Sequence, residues 1–129
     1  NLHIDAQPGF ALYLGWYNTS TIMVGGSINA NGNITAYSDI RVKANVETIS
    51  SALDKLDQIR GVTYTRTDRD DKERRYAGVI AQEIEAVLPE AIFDNGEHKS
   101  VDYNATIGLL IQAVKELQIE VETVKSRLH

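Results

Sequence analysis

A serine and a lysine stand five residues apart in the segment Tyr37-Ser38-Asp39-Ile40-Arg41-Val42-Lys43. A serine hydroxyl becomes a nucleophile when a base takes its proton. A neutral lysine amine is such a base once burial lowers the pKa of lysine from its usual value of about 10.4. Ser38 and Lys43 therefore have the residue types of a minimal proteolytic dyad. The spacing alone is a weak signal, because serine and lysine five residues apart are common and are usually a turn serine beside a surface lysine.

The composition excludes several other kinds of site. The 129-residue chain contains no cysteine, which excludes disulfides, cysteine-ligated zinc and a thiol nucleophile. A net charge of −5 with 13 basic residues argues against a nucleic-acid partner, since binding phosphates needs a concentrated basic surface. No apolar run approaches the roughly 18 residues that membrane insertion requires. Without a phosphate-binding glycine loop, a metal-ligand cluster or a Ser/His/Asp set, we expect no cofactor and no metal.

The charge distribution divides the chain into two parts. Residues 1–37 contain a single formally charged residue, Asp5, and all other charges follow them. The first part has short apolar runs interrupted by glycines and by the turn pair Asn31-Gly32, which predicts strands and hairpins. It is too short to build its own core, so we expect it to pair with strands upstream or in other copies. Because the chain begins at Asn1 and not at methionine, we interpret it as a piece of a longer protein.

The second part mixes predicted helices and strands. A helix is expected over 51–60, where Ser51 and Asp54 have capping-box spacing and Gly61 follows the end. A strand is expected over 62–67, then a charged solvated loop over 68–75. A short helix over 81–88 should stop at Pro89. A hairpin is expected from 91–93 and 99–103 around Asp94, Asn95 and Gly96.

The last segment has the clearest periodicity in the chain. Apolar residues spaced alternately by three and four predict a helix over about 104–128 with a coiled-coil seam formed by Ile107, Leu110, Val114, Leu117, Val121, Val124 and Leu128. Ile111 and Ala113 widen the apolar stripe near the start, as expected if that half packs on its own domain. Beyond Leu117 the flanks are polar, as expected where a helix meets only copies of itself.

Four motifs in order carry a resemblance to a known family. They are Ser38-Asp39-Ile40-Arg41-Val42-Lys43; Gly78-Val79-Ile80-Ala81-Gln82-Glu83-Ile84 with Leu88-Pro89-Glu90-Ala91; Val101-Asp102-Tyr103; and Leu109-Leu110-Ile111-Gln112-Ala113-Val114-Lys115-Glu116-Leu117. The sequence over 38–129 resembles the C-terminal intramolecular chaperone and self-cleaving peptidase domain of phage tail fibres, tailspikes and endosialidases, which also occurs in the eukaryotic myelin regulatory factor.

The resemblance implies an α+β protein with two domains in an intertwined homotrimer. Residues 1–38 would be the end of a β-structured fibre shaft, called the fibre stub below. Residues 39–129 would be a mixed α/β chaperone domain that ends in the long coiled-coil helix. The chaperone would assemble three chains, fold the shaft and then be released by autoproteolysis. Ser38 would be the nucleophile, Lys43 the general base and Ser38-Asp39 the bond cut.

Four further residues could assist the dyad. Arg41 could lower the pKa of Lys43 by like-charge repulsion, or it could be solvated or pair with another chain. Gln82 and Glu83 start the second helix, where capping or packing explains them as well as catalysis does. His98 could assist proton transfer, although a histidine beside a turn is usually a surface residue.

An alternative function keeps the chain uncut. In that hypothesis the piece is a permanent trimerisation and receptor-contacting fibre tip in which the dyad is idle. The partners expected are a second and a third copy, the upstream shaft of the same chain and, for the fibre stub, a host surface receptor. The resemblance places the stub in the virion tail fibre and the chaperone in the host cytoplasm during assembly.

Overall fold

A computed structural model describes residues 1–18 and 21–128 of the chain. Two compact units are present, Asn1–Ala44 and Asn45–His129, and each is described by itself. The predicted domain boundary after Ser38 lies six residues before the division between these units, and it stays a prediction.

The first unit forms no strand within its described residues. The chain turns at Pro8-Gly9, where Gly9 has a φ of 85°, and bends at Asn31-Gly32 without forming the expected hairpin. Most of its large apolar side chains are exposed, including Tyr17, which is 99% accessible. A strand needs a hydrogen-bonding neighbour and a covered face, and this segment alone supplies neither. Its pairing with strands outside the chain therefore stays a prediction.

The first helix of the second unit, α1, spans Ala52–Leu56 and is shorter than predicted. The capping-box prediction is wrong, because Ser51 has a left-handed backbone with a φ of 50° and its side chain makes no capping hydrogen bond. The carboxylate of Glu116 takes over this role, and it accepts from the backbone N–H of Ala52 at 2.7 Å. The expected end at Gly61 is also wrong, since the helix closes in a turn after Leu56.

Two antiparallel hairpins provide the β-structure. The predicted strand appears as β1, Val62–Thr65, and pairs with β2, Arg75–Gly78, so that Val62 lies opposite Gly78. The sequence did not predict β2, because its start merges with the charged loop. The second hairpin, predicted from the sequence, consists of β3, Ile92–Asp94, and β4, Lys99–Val101.

The helices predicted over 81–88 and about 104–128 are confirmed. Helix α2 spans Ala81–Val87, and a 3₁₀-helix over Pro89–Ala91 follows it. Helix α3 spans Tyr103–Arg127, and Asp102 caps it by accepting from the N–H of Asn104. The described fold is thus α+β, with two small sheets and a long final helix.

A small apolar core joins the three helices. Its buried members are Ala52, Ile84, Val87, Leu88, Ala91, Leu109 and Ala113. Helix α3 contributes Leu109 and Ala113, which lie four residues apart and so share one face. The first half of α3 therefore packs on its own unit, as expected, but the buried residues are not those of the predicted seam.

Two kinds of feature are absent from the described part of the chain. No helix there combines the length and apolar character needed to cross a bilayer. Among the same residues, His, Asp and Glu side chains do not gather into a group of three that could hold a metal ion.

Candidate functional site

A single turn of 3₁₀-helix carries the predicted dyad. The helix spans Ile40–Val42, and Asp39 caps it by accepting from the backbone N–H of Arg41 at 2.8 Å. The backbone N–H of Lys43 donates to the carbonyl of Ile40 at 3.1 Å and closes the turn. The turn lies between Ser38 and Lys43, the two residues of the predicted dyad.

The two dyad side chains meet across this turn. The Nζ atom of Lys43 lies 2.9 Å from the Oγ atom of Ser38, within hydrogen-bonding distance. An ammonium group donates to the hydroxyl in this geometry, and a neutral amine at the same place would accept the hydroxyl proton. The arrangement fits proton transfer between nucleophile and base.

The dyad is open to solvent in the single chain. Ser38, Lys43 and the residues between them are all exposed, and the 3₁₀-helix contains no buried residue. Desolvation is what generally lowers the pKa of a lysine enough for it to act as a base. A single chain in this conformation does not provide that burial.

Arg41 is engaged by Asp39. The Nη2 atom of Arg41 lies 2.7 Å from one carboxylate oxygen of Asp39, and its Nε atom lies 3.1 Å from both. These hydrogen bonds hold the pKa of Asp39 below its usual value and raise the pKa of Arg41. Because the carboxylate balances the guanidinium charge, the geometry favours a structural role for Arg41 over repulsion of Lys43.

The other three candidate residues lie in the second unit. Glu83, in the first turn of α2, accepts from Nη2 of Arg60 at 2.6 Å, and this contact lowers the pKa of Glu83. Gln82 is exposed on the same helix. His98 is exposed in the second hairpin, where its backbone N–H donates to Asn95 Oδ1 at 2.9 Å. Contacts within this unit account for Glu83 and for the backbone of His98, and the assisting roles stay predictions.

The sequence analysis named Asp39 and Glu116 but missed their roles as helix caps. Asp39 has a local signal, since aspartate is a preferred residue immediately before a helix. Glu116 has none, because it caps α1 from a position 64 residues away in the sequence. No short motif links two such positions.

The predicted seam forms an exposed stripe on α3. Val114 is 62% accessible and Val121 is 44% accessible, and the other seam residues are similarly exposed. The face of the helix that packs on the core contains Leu109 and Ala113. The first half of α3 thus has two apolar faces, of which its own unit covers one.

The chain is similar to proteins of a known family. Residues 38–93 match the model of a peptidase family described as the chaperone of endosialidase. The match begins at the dyad serine and includes Lys43.

Three relatives are similar to more than three quarters of this chain. The long tail fiber proteins Gp37 of Enterobacteria phage K3 and of Enterobacteria phage T2 are each 38% identical over 109 residues, which is 79% of this chain. Myelin regulatory factor homolog 1 of Caenorhabditis elegans is 30% identical over 108 residues, or 77% of this chain. The chain spans 9%, 8% and 12% of the length of these three proteins, respectively. The chain therefore belongs to the chaperone-of-endosialidase family, through a chaperone domain of the phage tail-fibre kind.

Proposed function

We propose that this chain is an intramolecular chaperone that trimerises and folds a phage tail fibre and is released by autoproteolysis between Ser38 and Asp39. Family membership and the tail-fibre relatives support the chaperone role and a place in the virion. The observation that carries the proteolytic step is the 2.9 Å contact between Lys43 Nζ and Ser38 Oγ.

The proposed reaction adds one water molecule across one peptide bond. Lys43, as a neutral amine, takes the hydroxyl proton while Ser38 Oγ bonds to the carbonyl carbon. The carbon–nitrogen bond to Asp39 then breaks, and the proton passes from the lysine to the departing amine. Water hydrolyses the resulting ester. The products are a fibre stub that ends in the carboxylate of Ser38 and a chaperone that begins with the amino group of Asp39.

The position of the cut restricts the route of attack. Attack by Ser38 on its own carbonyl would close a strained four-membered ring, and attack on the preceding carbonyl would break the bond before Ser38. Attack on the Ser38 carbonyl of a neighbouring copy avoids both problems, and we propose this route. Co-assembly of wild type with a mass-tagged Ser38→Ala chain should then cut the tagged chain after residue 38. A tagged chain that stays whole in mixed trimers excludes the route.

In this proposal, cleavage occurs only after the three chains have assembled. The dyad is exposed in the single chain, and the seam of α3 is exposed as well. Association through the seam would bring three fibre stubs together and exclude water around the dyad, which is the condition for a neutral lysine. Cleavage then follows correct assembly, and the fibre left behind is kinetically trapped because its folding template has departed.

The test is the denatured intact mass of freshly expressed chain. Wild type should give two fragments divided at Ser38-Asp39, whereas Ser38→Ala and Lys43→Ala should stay whole as folded trimers. Ser50→Ala and Lys55→Ala are matched controls that should be cut like wild type. If wild type stays whole as a folded trimer, the dyad is idle and the permanent fibre tip is the better description.

A further inference from the structure

The turn that joins Ser38 to Lys43 depends on polar contacts for its shape. The 3₁₀-helix has three residues, none of them buried, and Ile40 and Val42 are largely exposed. A 3₁₀ turn of this length has little intrinsic stability. In the single chain no buried apolar side chain holds the turn, so its backbone and side-chain hydrogen bonds keep Lys43 near Ser38.

One carboxylate supplies these contacts. Oδ1 of Asp39 accepts from both the backbone N–H and the Nε atom of Arg41, and Oδ2 accepts from Nε and Nη2. Asp39 therefore caps the turn and also binds the side chain of Arg41, the second residue of the turn. The guanidinium fork suits this two-oxygen contact, which a lysine could not reproduce.

We propose that Asp39 and Arg41 are a positioning pair, which locks the turn so that Lys43 Nζ is held on Ser38 Oγ. This inference rests on the proposed function. It assigns a positioning role to Asp39, the residue that follows the bond cut. An aspartate after the bond is needed because its carboxylate shapes the dyad. Arg41 acts through Asp39 and not by charge on Lys43.

The chain contains a matched control for this pair. Arg66 and Asp68 are also two residues apart, and the Nε and Nη2 atoms of Arg66 donate to the carboxylate of Asp68 at 2.8 and 2.6 Å. This second pair lies in the charged loop between β1 and β2, in the other unit. Changes there remove the same kind of ion pair at residues outside the dyad turn.

The first measurement is the rate of self-cleavage in assembled trimers. Asp39→Asn and Arg41→Lys should each slow the cut by about tenfold or more, because misplacing a catalytic group by about 1 Å is that costly. The double variant should be about as slow as either single variant, since the two residues act as a unit. Asp68→Asn and Arg66→Lys should leave the rate unchanged. Wild-type rates for the Asp39 and Arg41 variants would overturn the proposal.

The pH profile separates positioning from a charge effect. A positioning pair predicts that Arg41→Gln lowers the rate across about pH 6 to 9 without moving the profile. A profile displaced to higher pH would show that Arg41 acts by repulsion on Lys43, and would also overturn the proposal.

The second measurement does not require cleavage. In the uncut Ser38→Ala chain, Asp39→Asn should accelerate hydrogen exchange at the Arg41 Nε–H and at the backbone N–H groups of Val42 and Lys43. Asp68→Asn should leave these signals unchanged. Unaltered exchange in Asp39→Asn means that the pair does not hold the turn. A wild-type chain that never cleaves would refute the proposed function, while this exchange measurement still decides the positioning pair.

Discussion

Lys43 approaches Ser38 through a turn whose hydrogen bonds lie entirely within six residues. The contact of 2.9 Å was expected from the family resemblance, because the spacing alone favoured a turn serine beside a surface lysine. The role of Asp39 in the turn was not anticipated. Its carboxylate contacts both the backbone and the side chain of Arg41, which a residue count does not reveal.

Replacing the base with a permanently charged group tests the chemistry of Lys43. We expect Lys43→Arg to reduce self-cleavage by about 10²-fold or more, because a guanidinium can donate to Ser38 but cannot take its proton at neutral pH. Denatured mass spectrometry over time measures the loss, and Lys55→Arg is the control. Cleavage of Lys43→Arg at the wild-type rate would show that the lysine is only a hydrogen-bond donor.

The Arg60–Glu83 ion pair leads us to predict that the stability of the fold depends on pH. Arg60 lowers the pKa of Glu83 in the folded chain below its ordinary value of 4.5. A lowered carboxylate pKa stabilises the fold above the unfolded pKa, and this contribution is lost as pH falls through the folded value. Wild type should therefore be more stable than Glu83→Gln at neutral pH, and the gap should close below about pH 4.

Denaturant unfolding at a series of pH values measures this gap, in the Ser38→Ala background so that all chains stay whole. Glu90→Gln, outside this ion pair, is the control and should show no such closing gap. A gap that is constant with pH would mean that Glu83 contributes through packing alone.

At the level of elements, some helices and strands follow local sequence signals, whereas others depend on contacts with residues far away in the chain. Helices α2 and α3 and the β3–β4 hairpin follow signals contained in a few neighbouring residues, such as Pro89 after α2 and the Asp94-Asn95-Gly96 turn. Helix α1 did not follow its capping signal. Glu116 on α3 provides its cap, so α1 is a helix that depends on its neighbour.

Removing that cap should loosen α1. We expect Glu116→Ala to lower the free energy of unfolding by about 1 kcal/mol, the usual cost of losing a helix cap, because the N–H groups of Ala52 and Leu53 lose their acceptor. Urea unfolding of the Ser38→Ala chain at fixed concentration measures the change. Glu120→Ala, on the exposed part of the same helix, should have little effect, and equal stability of both variants would refute the capping role.

For the whole molecule, the exposed seam of α3 is the surface on which the proposed trimer depends. Its own unit buries Leu109 and Ala113, and the seam residues stay accessible. After Ala113 no described residue of the helix is buried. The second half of α3 therefore has an apolar stripe whose proposed partners are other copies.

A charge in the seam should prevent assembly. Val121→Asp should lower the association constant by at least about tenfold, because a carboxylate buried among apolar side chains is strongly unfavourable, and self-cleavage should fall with it. Sedimentation velocity and denatured mass measure the two effects. Ile119→Asp places the same charge on an exposed position of α3 outside the seam, and it should keep both assembly and cleavage.

Two outcomes would contradict the proposed assembly. If Val121→Asp still forms the trimer, α3 does not associate through this stripe. If it stays monomeric and is cut at the wild-type rate, the dyad does not need assembly, and the proposed timing is wrong.

By itself the sequence determined the features that depend on neighbouring residues: the Ser38 and Lys43 spacing, α2 and its stop, the second hairpin and the periodicity of α3. Such signals act over one or two turns of backbone, so they can be read without knowing the fold. The tertiary structure decided the cap of α1 by Glu116 and the face of α3 that packs on the core. It also decided the pairing of β1 with β2. These depend on contacts between residues far apart in the chain, and only folding brings such residues within reach of one another.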